Sequence, residues 1–326
     1  LTIVAGRQEI ILGNGWLVLD GTPYDGSRTI YFDAVRGTYE LSDATKLDMI
    51  YIQQYDNETK WLKPLDHDIT RHATNGQDER GIIFYLTNKC GDQQRELYYI
   101  FKNDENSGLS NSTTKDADIH TIGGRLAGPI NDKWSYSTEV AKQWGRLDED
   151  TMRAFGTNNT LTYSFNDDKQ SKIFFMYEFL SGDDPDTDGN EQFETLWGDW
   201  PQYGRGGDLQ SYIWSDEGNV GQVTNLHRLG AGYSFKPADE WTMLTQYNLM
   251  WADENTYEDT SGPGPWTTTF GSGKFRGQMI TGLLTYQCCK NFRTQFLLDY
   301  FLPGSYYDST SNEAAMFARV NIEWTF

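Results

Sequence analysis

Apolar and polar residues alternate with a period of two along most of this chain, and the pattern is clearest at residues 172–180. On one face of an extended strand lie Ile173, Phe175, Tyr177 and Phe179; on the other lie Lys172, Phe174, Met176 and Glu178. No stretch sustains a helical period. The pattern therefore predicts an all-β chain whose strands each have one apolar side.

The alternating segments predict fourteen strands. They are expected at 1–12, 28–40, 46–55, 80–88, 95–102, 118–127, 131–144, 150–165, 170–180, 221–235, 240–252, 273–287, 291–302 and 314–326. Short turns are predicted at 42–44, 90–92, 128–130, 166–168, 237–239 and 288–290. Long loops fall between them, at 13–27, 56–79, 103–117, 181–220, 253–272 and 303–313, with one short exception at 145–149.

Short turns on one side and long loops on the other are typical of bacterial outer-membrane barrels. We therefore predict a transmembrane antiparallel up-and-down β-barrel, with residues 1–326 forming a single domain. The short turns and the C-terminus would face the periplasm. Because the sequence opens inside a predicted strand, we expect N-terminal strands to be missing, which would raise the total to about 16–18.

The last predicted strand carries the most specific signal. Counting back from Phe326, one face holds Trp324, Ile322, Val320, Ala318 and Met316, and the other holds Thr325, Glu323, Asn321 and Arg319. It resembles the terminal aromatic strand by which outer-membrane barrels are recognised for insertion. The alternative is the last amphipathic strand of a soluble β protein.

Composition narrows the class further. The formal charge of −20 disfavours nucleic acid as a partner, and an aromatic content of 15% is too high for a disordered chain. No apolar run approaches the roughly 20 residues that a membrane-spanning helix requires. Barrel strands alternate, so a mean hydropathy of −0.66 is compatible with a membrane. The three cysteines, Cys90, Cys288 and Cys289, are too few and too irregularly spaced for a disulfide framework.

Several stretches resemble the alginate-export family of outer-membrane porins. They are 4–8 (VAGRQ), 28–36 (RTIYFDAVR), 121–126 (TIGGRL), 139–145 (EVAKQWG), 177–184 (YEFLSGDD), 193–197 (FETLW) and 225–233 (NLHRLGAGY). The resemblance implies a barrel with further N-terminal strands and passage of a hydrophilic, anionic or saccharide solute through an arginine-rich lumen. The lumen expected here departs from that pattern because it mixes both signs of charge.

If the apolar faces meet lipid, the opposite faces line the pore, since a charge facing lipid near the midplane costs about 2–4 kcal/mol. The predicted pore-lining residues are Arg7, Arg125, Glu139, Gln143, Lys172, Glu178, Arg228, Arg293, Gln295, Asp299, Arg319 and Glu323. Arg36 joins them if Asp33 faces outward. The arginines either coordinate an anionic solute or pair with wall carboxylates, and the sequence leaves both alternatives open.

An acidic loop at 183–191 places Asp184, Asp186 and Asp188 at alternate positions before Gly189. This spacing predicts a possible Ca²⁺ site, although no bidentate Glu follows at the twelfth position of an EF-hand. The alternative is a solvated acidic loop.

Two other functions are alternatives to a channel. A hydrolase is disfavoured because the four histidines, His67, His72, His120 and His227, have no nucleophile motif nearby. An adhesin or structural barrel would use its Tyr- and Trp-rich loops, such as 197–214 and 262–270, to bind a partner. The sequence favours a non-enzymatic channel in the outer-membrane lipid.

Overall fold

A computed structural model describes residues 1–19, 32–54, 77–106, 116–147, 150–198, 209, 213, 224–255 and 270–325. Its strands are β1 (Thr2–Gln8), β2 (Phe32–Ser42), β3 (Thr45–Gln54), β4 (Gln77–Cys90), β5 (Gln93–Asn106), β6 (Ala117–Pro129), β7 (Trp134–Leu147), β8 (Asp150–Ser164), β9 (Lys172–Leu180), β10 (Leu226–Ala238), β11 (Trp241–Trp251), β12 (Phe275–Cys289), β13 (Phe292–Pro303) and β14 (Ala315–Trp324). No helix in these ranges is long and apolar enough to cross a membrane.

The fourteen strands form one antiparallel sheet in chain order, so the up-and-down topology predicted from the sequence is confirmed. Each strand occupies a predicted segment. The connections at one end of the strands have two to seven residues. Those at the other end are longer, up to the segment 181–225 between β9 and β10. The short link between β7 and β8 is again the exception. In the turn between β8 and β9, the backbone N–H of Ser171 donates to Asp167 and lowers the pKa of that carboxyl group.

The expected closure of the barrel is not observed. Within the described strands, β1 pairs with β2 alone and β14 pairs with β13 alone, so the sheet has two open edges. Closure requires the two edge strands to lie side by side within hydrogen-bonding distance along their length. No ladder joins β1 to β14 in this structure.

Large apolar side chains on one face of this sheet are exposed, and charged side chains on the other face are buried, which is the reverse of the distribution in a water-soluble protein. On β9, Phe175 is 48% exposed while Glu178 is 3% exposed, and the other strands from β3 to β13 follow the same alternation. We call the buried face the inner face and the exposed face the outer face. Large apolar side chains on the outer face and buried charges on the inner face are the distribution that a lipid-facing barrel wall requires.

Candidate functional site: the inner wall and its plug

Eleven of the twelve residues predicted to line the pore lie on the inner face. Seven are buried there: Arg125, Glu139, Gln143, Glu178, Arg228, Gln295 and Asp299. Four more share the inner face of their strands but are less covered: Lys172, Arg293, Arg319 and Glu323. These eleven residues thus share the face opposite the exposed apolar side chains, and their lining of a water-filled pore stays a prediction.

Arg7 is the exception, because it lies on the outer face. It stands opposite Asp33 in the β1–β2 ladder and donates to that carboxylate at 3.0 Å, with both side chains well exposed. The sequence could not fix the face of β1 because Ile3, Val4 and Ala5 are apolar in succession. Arg36, by contrast, points to the inner face and donates to Asp48 at 3.0 Å.

Arg125 belongs to a buried network of charged and phenolic groups. Its guanidinium group donates twice to Glu96 on β5, at 2.6 and 3.2 Å. The Tyr85 hydroxyl donates to the same carboxylate at 2.7 Å, and Tyr98, stacked on Tyr85, donates to Glu139. A bidentate arginine–carboxylate pair with added phenol donors is rigid, so this part of the wall has a fixed shape.

Arg228 pairs with Glu178 on the neighbouring strand, and both side chains are almost fully buried. The other carboxylate oxygen of Glu178 accepts from the Trp16 indole at 3.0 Å and from Asn158 at 3.1 Å. Trp16 comes from the long connection between β1 and β2, so this wall pair also holds a loop.

Lys102 is the centre of a cluster that the sequence analysis did not identify. Its side chain is 2% exposed, and its ammonium group lies 3.2 Å from Glu79, 3.6 Å from Asp104 and 3.7 Å from Glu194. It also donates to the carbonyl of Leu196 at 3.3 Å. Alternation along β5 places Lys102 on the inner face with Glu96. Glu194, by contrast, lies near Lys102 only because the connection between β9 and β10 folds against the wall.

Two loop segments cover the inner wall from the long-loop side. Residues 10–18 and 190–198, together called the inner plug, meet through a parallel bridge between Val18 and Trp197. Trp16 stacks on Phe193 with ring centroids 5.5 Å apart. Of the predicted pore-lining residues, Glu178 and Gln143 form hydrogen bonds with the inner plug.

The segment 190–198 has its own hydrogen bonds to the wall. The Gln143 amide donates to the Glu194 carbonyl at 2.7 Å and accepts from the Glu194 N–H at 2.9 Å. The Trp197 indole donates to Glu79 at 2.9 Å. Another part of the same connection reaches β13, where Asp299 accepts a backbone hydrogen bond from Leu209. Wall residues on three strands, β4, β7 and β13, thus hold one loop.

Gly13 brings the plug closest to the charged wall. It has φ +61°, and a Cβ there would lie 2.8 Å from the Tyr85 hydroxyl and 3.2 Å from Glu96.

We expect Gly13→Ala to weaken docking of residues 10–18 by about 1–3 kcal/mol, as overpacking does, and to speed proteolysis of this connection in the detergent-solubilised protein. Gly91→Ala is the matched control, because Gly91 has a similar φ of +58° with open space around it. Equal protease resistance of the two variants would contradict the close approach.

The acidic loop forms hydrogen bonds within itself. Asp184 accepts from the Asp186 N–H at 2.9 Å, and the Glu191 carboxylate accepts from the Thr187 hydroxyl. In the described part of the chain, no group of three or more His, Cys, Asp or Glu side chains is placed to hold a metal ion. Calcium binding by Asp184, Asp186 and Asp188 stays a prediction.

Comparison with known proteins defines the class. The fold resembles Pseudomonas aeruginosa OccK11 (OpdR), with a TM-score of 0.55 at 10% identity, covering 97% of this chain and 75% of that one. Weaker similarity is found to the porin NanC (10% identity, 76% and 94% coverage, TM-score 0.36). Vibrio cholerae OmpT is also similar (8% identity, 86% and 82% coverage, TM-score 0.37). No curated protein matches the sequence.

The alginate export family model matches residues 1–321, and the chain belongs to that family. The resemblance inferred from short motifs is thereby confirmed. Membership of this family, together with the fold, makes the chain an outer-membrane channel, which is a transport protein and not an enzyme.

Proposed function

We propose that this chain is a passive channel for small hydrophilic solutes that carry carboxylate or sugar hydroxyl groups. The observation that carries the proposal is the inner wall, where buried arginines, carboxylates and amides line strands whose outer faces are apolar. Where the inner face stays accessible, as at Arg293 and Arg319, such a wall offers a solute successive polar contacts that are each weak enough to release it. The proposed orientation puts the short turns and the C-terminus in the periplasm.

The arginines divide into two groups in this proposal. Arg125 and Arg228 form ion pairs with Glu96 and Glu178, which supports the wall-pairing role for them. Arg293 and Arg319 lie on the inner face with intermediate exposure, away from the plug contacts described above. We assign the attraction of anionic solutes to this second group, because a guanidinium group stays charged at physiological pH.

The adhesin alternative receives less support. Trp197, which begins one of the aromatic loops considered for partner binding, is buried against the inner wall and donates to Glu79. The other loop, 262–270, lies almost wholly outside the described residues.

Planar-bilayer recordings test the proposal with the full-length protein. We expect stable open currents, and we expect Arg293→Glu together with Arg319→Glu to shift the reversal potential in a salt gradient toward cations. At water-like dielectric each charge contributes about 1 kcal/mol at close range, so the permeability ratio should change several-fold, most strongly at low salt.

Arg7→Gln is the control, because Arg7 lies on the outer face and glutamine keeps a hydrogen-bond donor beside Asp33, so this variant should leave selectivity unchanged. The absence of stable current in the parent protein would refute the channel. Unchanged selectivity in the double variant would instead assign these arginines to wall pairing.

A further inference from the structure

Two adjacent cysteines, Cys288 and Cys289, carry exposed thiols at the end of β12, where the chain enters the short turn to β13. The strand has 15 residues, whereas a barrel strand crosses a bilayer with about 9–11, so its last two residues extend beyond the hydrocarbon. The polar residues Lys290 and Asn291 follow in the turn. The pair is therefore open to water, and it takes no part in the inner-wall contacts described above.

A β-bulge brings the two sulfur atoms to one side of the sheet. Adjacent residues of a regular strand point to opposite faces, which would separate the thiols. In the ladder between β12 and β13 the register shifts between Gln287 and Cys289, which leaves Cys288 as the extra residue of a bulge. The two Sγ atoms lie 3.6 Å apart. The thiols can therefore act on one ligand together.

Hydrogen bonds fix the position of one sulfur and of the turn. The backbone N–H groups of Asn291 and Phe292 donate to Cys289 Sγ, and the Cys288 thiol donates to the same atom. Donors directed at a sulfur favour its thiolate form, which is the nucleophile and the metal ligand. Asn291 also accepts from the Thr325 N–H at 3.0 Å and donates to the Thr325 carbonyl at 2.7 Å. The pair is thus held ready to bind.

The spacing of the sulfur atoms restricts the kind of atom that can join them. If each sulfur bonds a central atom at about 2.3 Å, the length of a Zn–S bond, a separation of 3.6 Å requires an angle of roughly 100° at that atom. With the same bond length, a linear dithiolate would need sulfur atoms about 4.6 Å apart. The pair therefore fits a centre with bent bonds.

Trivalent arsenic and zinc both form bent bonds to sulfur, but they differ in the number of ligands that they need. A structural zinc ion takes four protein ligands. In the described part of the chain, no third His, Cys, Asp or Glu side chain joins the pair in a group that could hold a metal ion. Trivalent arsenic forms three bonds, so two sulfur atoms and one hydroxyl group complete it. The pair therefore favours arsenic.

We propose that Cys288 and Cys289 form a bidentate dithiol site for trivalent arsenic oxyacids. In the reaction, arsenous acid exchanges two of its three hydroxyl groups for the two sulfur atoms. Two S–As bonds form, two As–O bonds break, and each thiol proton leaves with a hydroxyl group as water. Arsenic and sulfur keep their oxidation states, so the reaction needs no oxidant or reductant. This site goes beyond the proposed channel function and does not depend on it.

Intact mass spectrometry of the reduced full-length protein in detergent tests the site. The probe is phenylarsine oxide, whose single arsenic centre can bond two thiols. We expect one adduct per chain, and we expect Cys288→Ser or Cys289→Ser to weaken it about a hundredfold, because the second sulfur of a linked pair binds at a high effective concentration. Cys90→Ser is the matched control, because Cys90 is a single exposed thiol at the end of β4.

Competition between thiols separates a chelate from a single S–As bond. The dithiol dimercaptopropanol should remove the adduct at a concentration about a hundredfold lower than the monothiol mercaptoethanol requires. Absence of the adduct from the reduced, folded parent would overturn the site, as would parent affinity in either single serine variant of the pair or loss of the adduct in Cys90→Ser. Bilayer conductance of the pair variants should match that of the parent, so failure of this site leaves the proposed channel standing.

Discussion

Trp16→Ala, in the inner plug, should increase the single-channel conductance of the full-length protein more than any single substitution on the inner face. Trp16 is fully buried, donates its indole N–H to Glu178 at 3.0 Å and stacks on Phe193. Truncating a buried tryptophan costs about 3–5 kcal/mol. Applied to docking of the inner plug, a loss of that size moves the ratio of docked to released states by about two orders of magnitude or more.

Planar-bilayer recording and liposome swelling measure this effect. The matched control is Trp144→Ala, which removes the same side chain from the outer face of β7, where it is 39% exposed. We expect the control to conduct like the parent. If Trp16→Ala also conducts like the parent while remaining folded by heat-modifiable gel mobility, residues 10–18 do not obstruct the path.

The sheet could be predicted from the sequence because a strand with one lipid-facing side has an apolar residue at every second position, which shows which residues share a face. The pattern at 172–180 assigned Lys172 and Glu178 to the inner face, and the structure agrees. Where consecutive residues are all apolar, as at Ile3, Val4 and Ala5, the alternation does not distinguish the two faces. The face predicted for Arg7 was therefore wrong. Periodicity also carries no information on whether the first and last strands meet.

The inner plug could not be predicted because it depends on contacts between residues far apart in sequence. Alternation at the start of the chain extended the first predicted strand to residue 12, but the strand ends at Gln8, and Ile10 and Leu12 are buried in the core. Val18 pairs with Trp197, which lies more than half of the chain away in sequence. Loop composition alone does not distinguish a segment folded inward from one exposed to solvent.

Substitution of Lys102 is expected to have the second large effect, which is a change in the ion selectivity of the channel and not in its conductance alone. One buried ammonium group lies within 4 Å of Glu79, Asp104 and Glu194, two of which lie on the wall and one on the plug. Lys102 also donates to the Leu196 carbonyl. The lysine therefore joins the plug to the wall and neutralises part of a carboxylate cluster.

Lys102→Met should make the channel strongly cation-selective. The substitution keeps much of the side-chain volume but leaves three carboxylates facing one another, and removing one partner of a buried ion pair costs about 3–5 kcal/mol. Release of Glu194 with the plug relieves this repulsion, which exposes Glu79 and Asp104 to the water path. The reversal potential in a salt gradient should shift toward cations, and the shift should grow as the salt concentration falls because screening weakens.

Lys102→Arg should restore the parent selectivity, whereas Lys142→Met, on the outer face of β7, should have no effect. A folded Lys102→Met channel with parent selectivity at low salt would show that this cluster does not face the path of the ions.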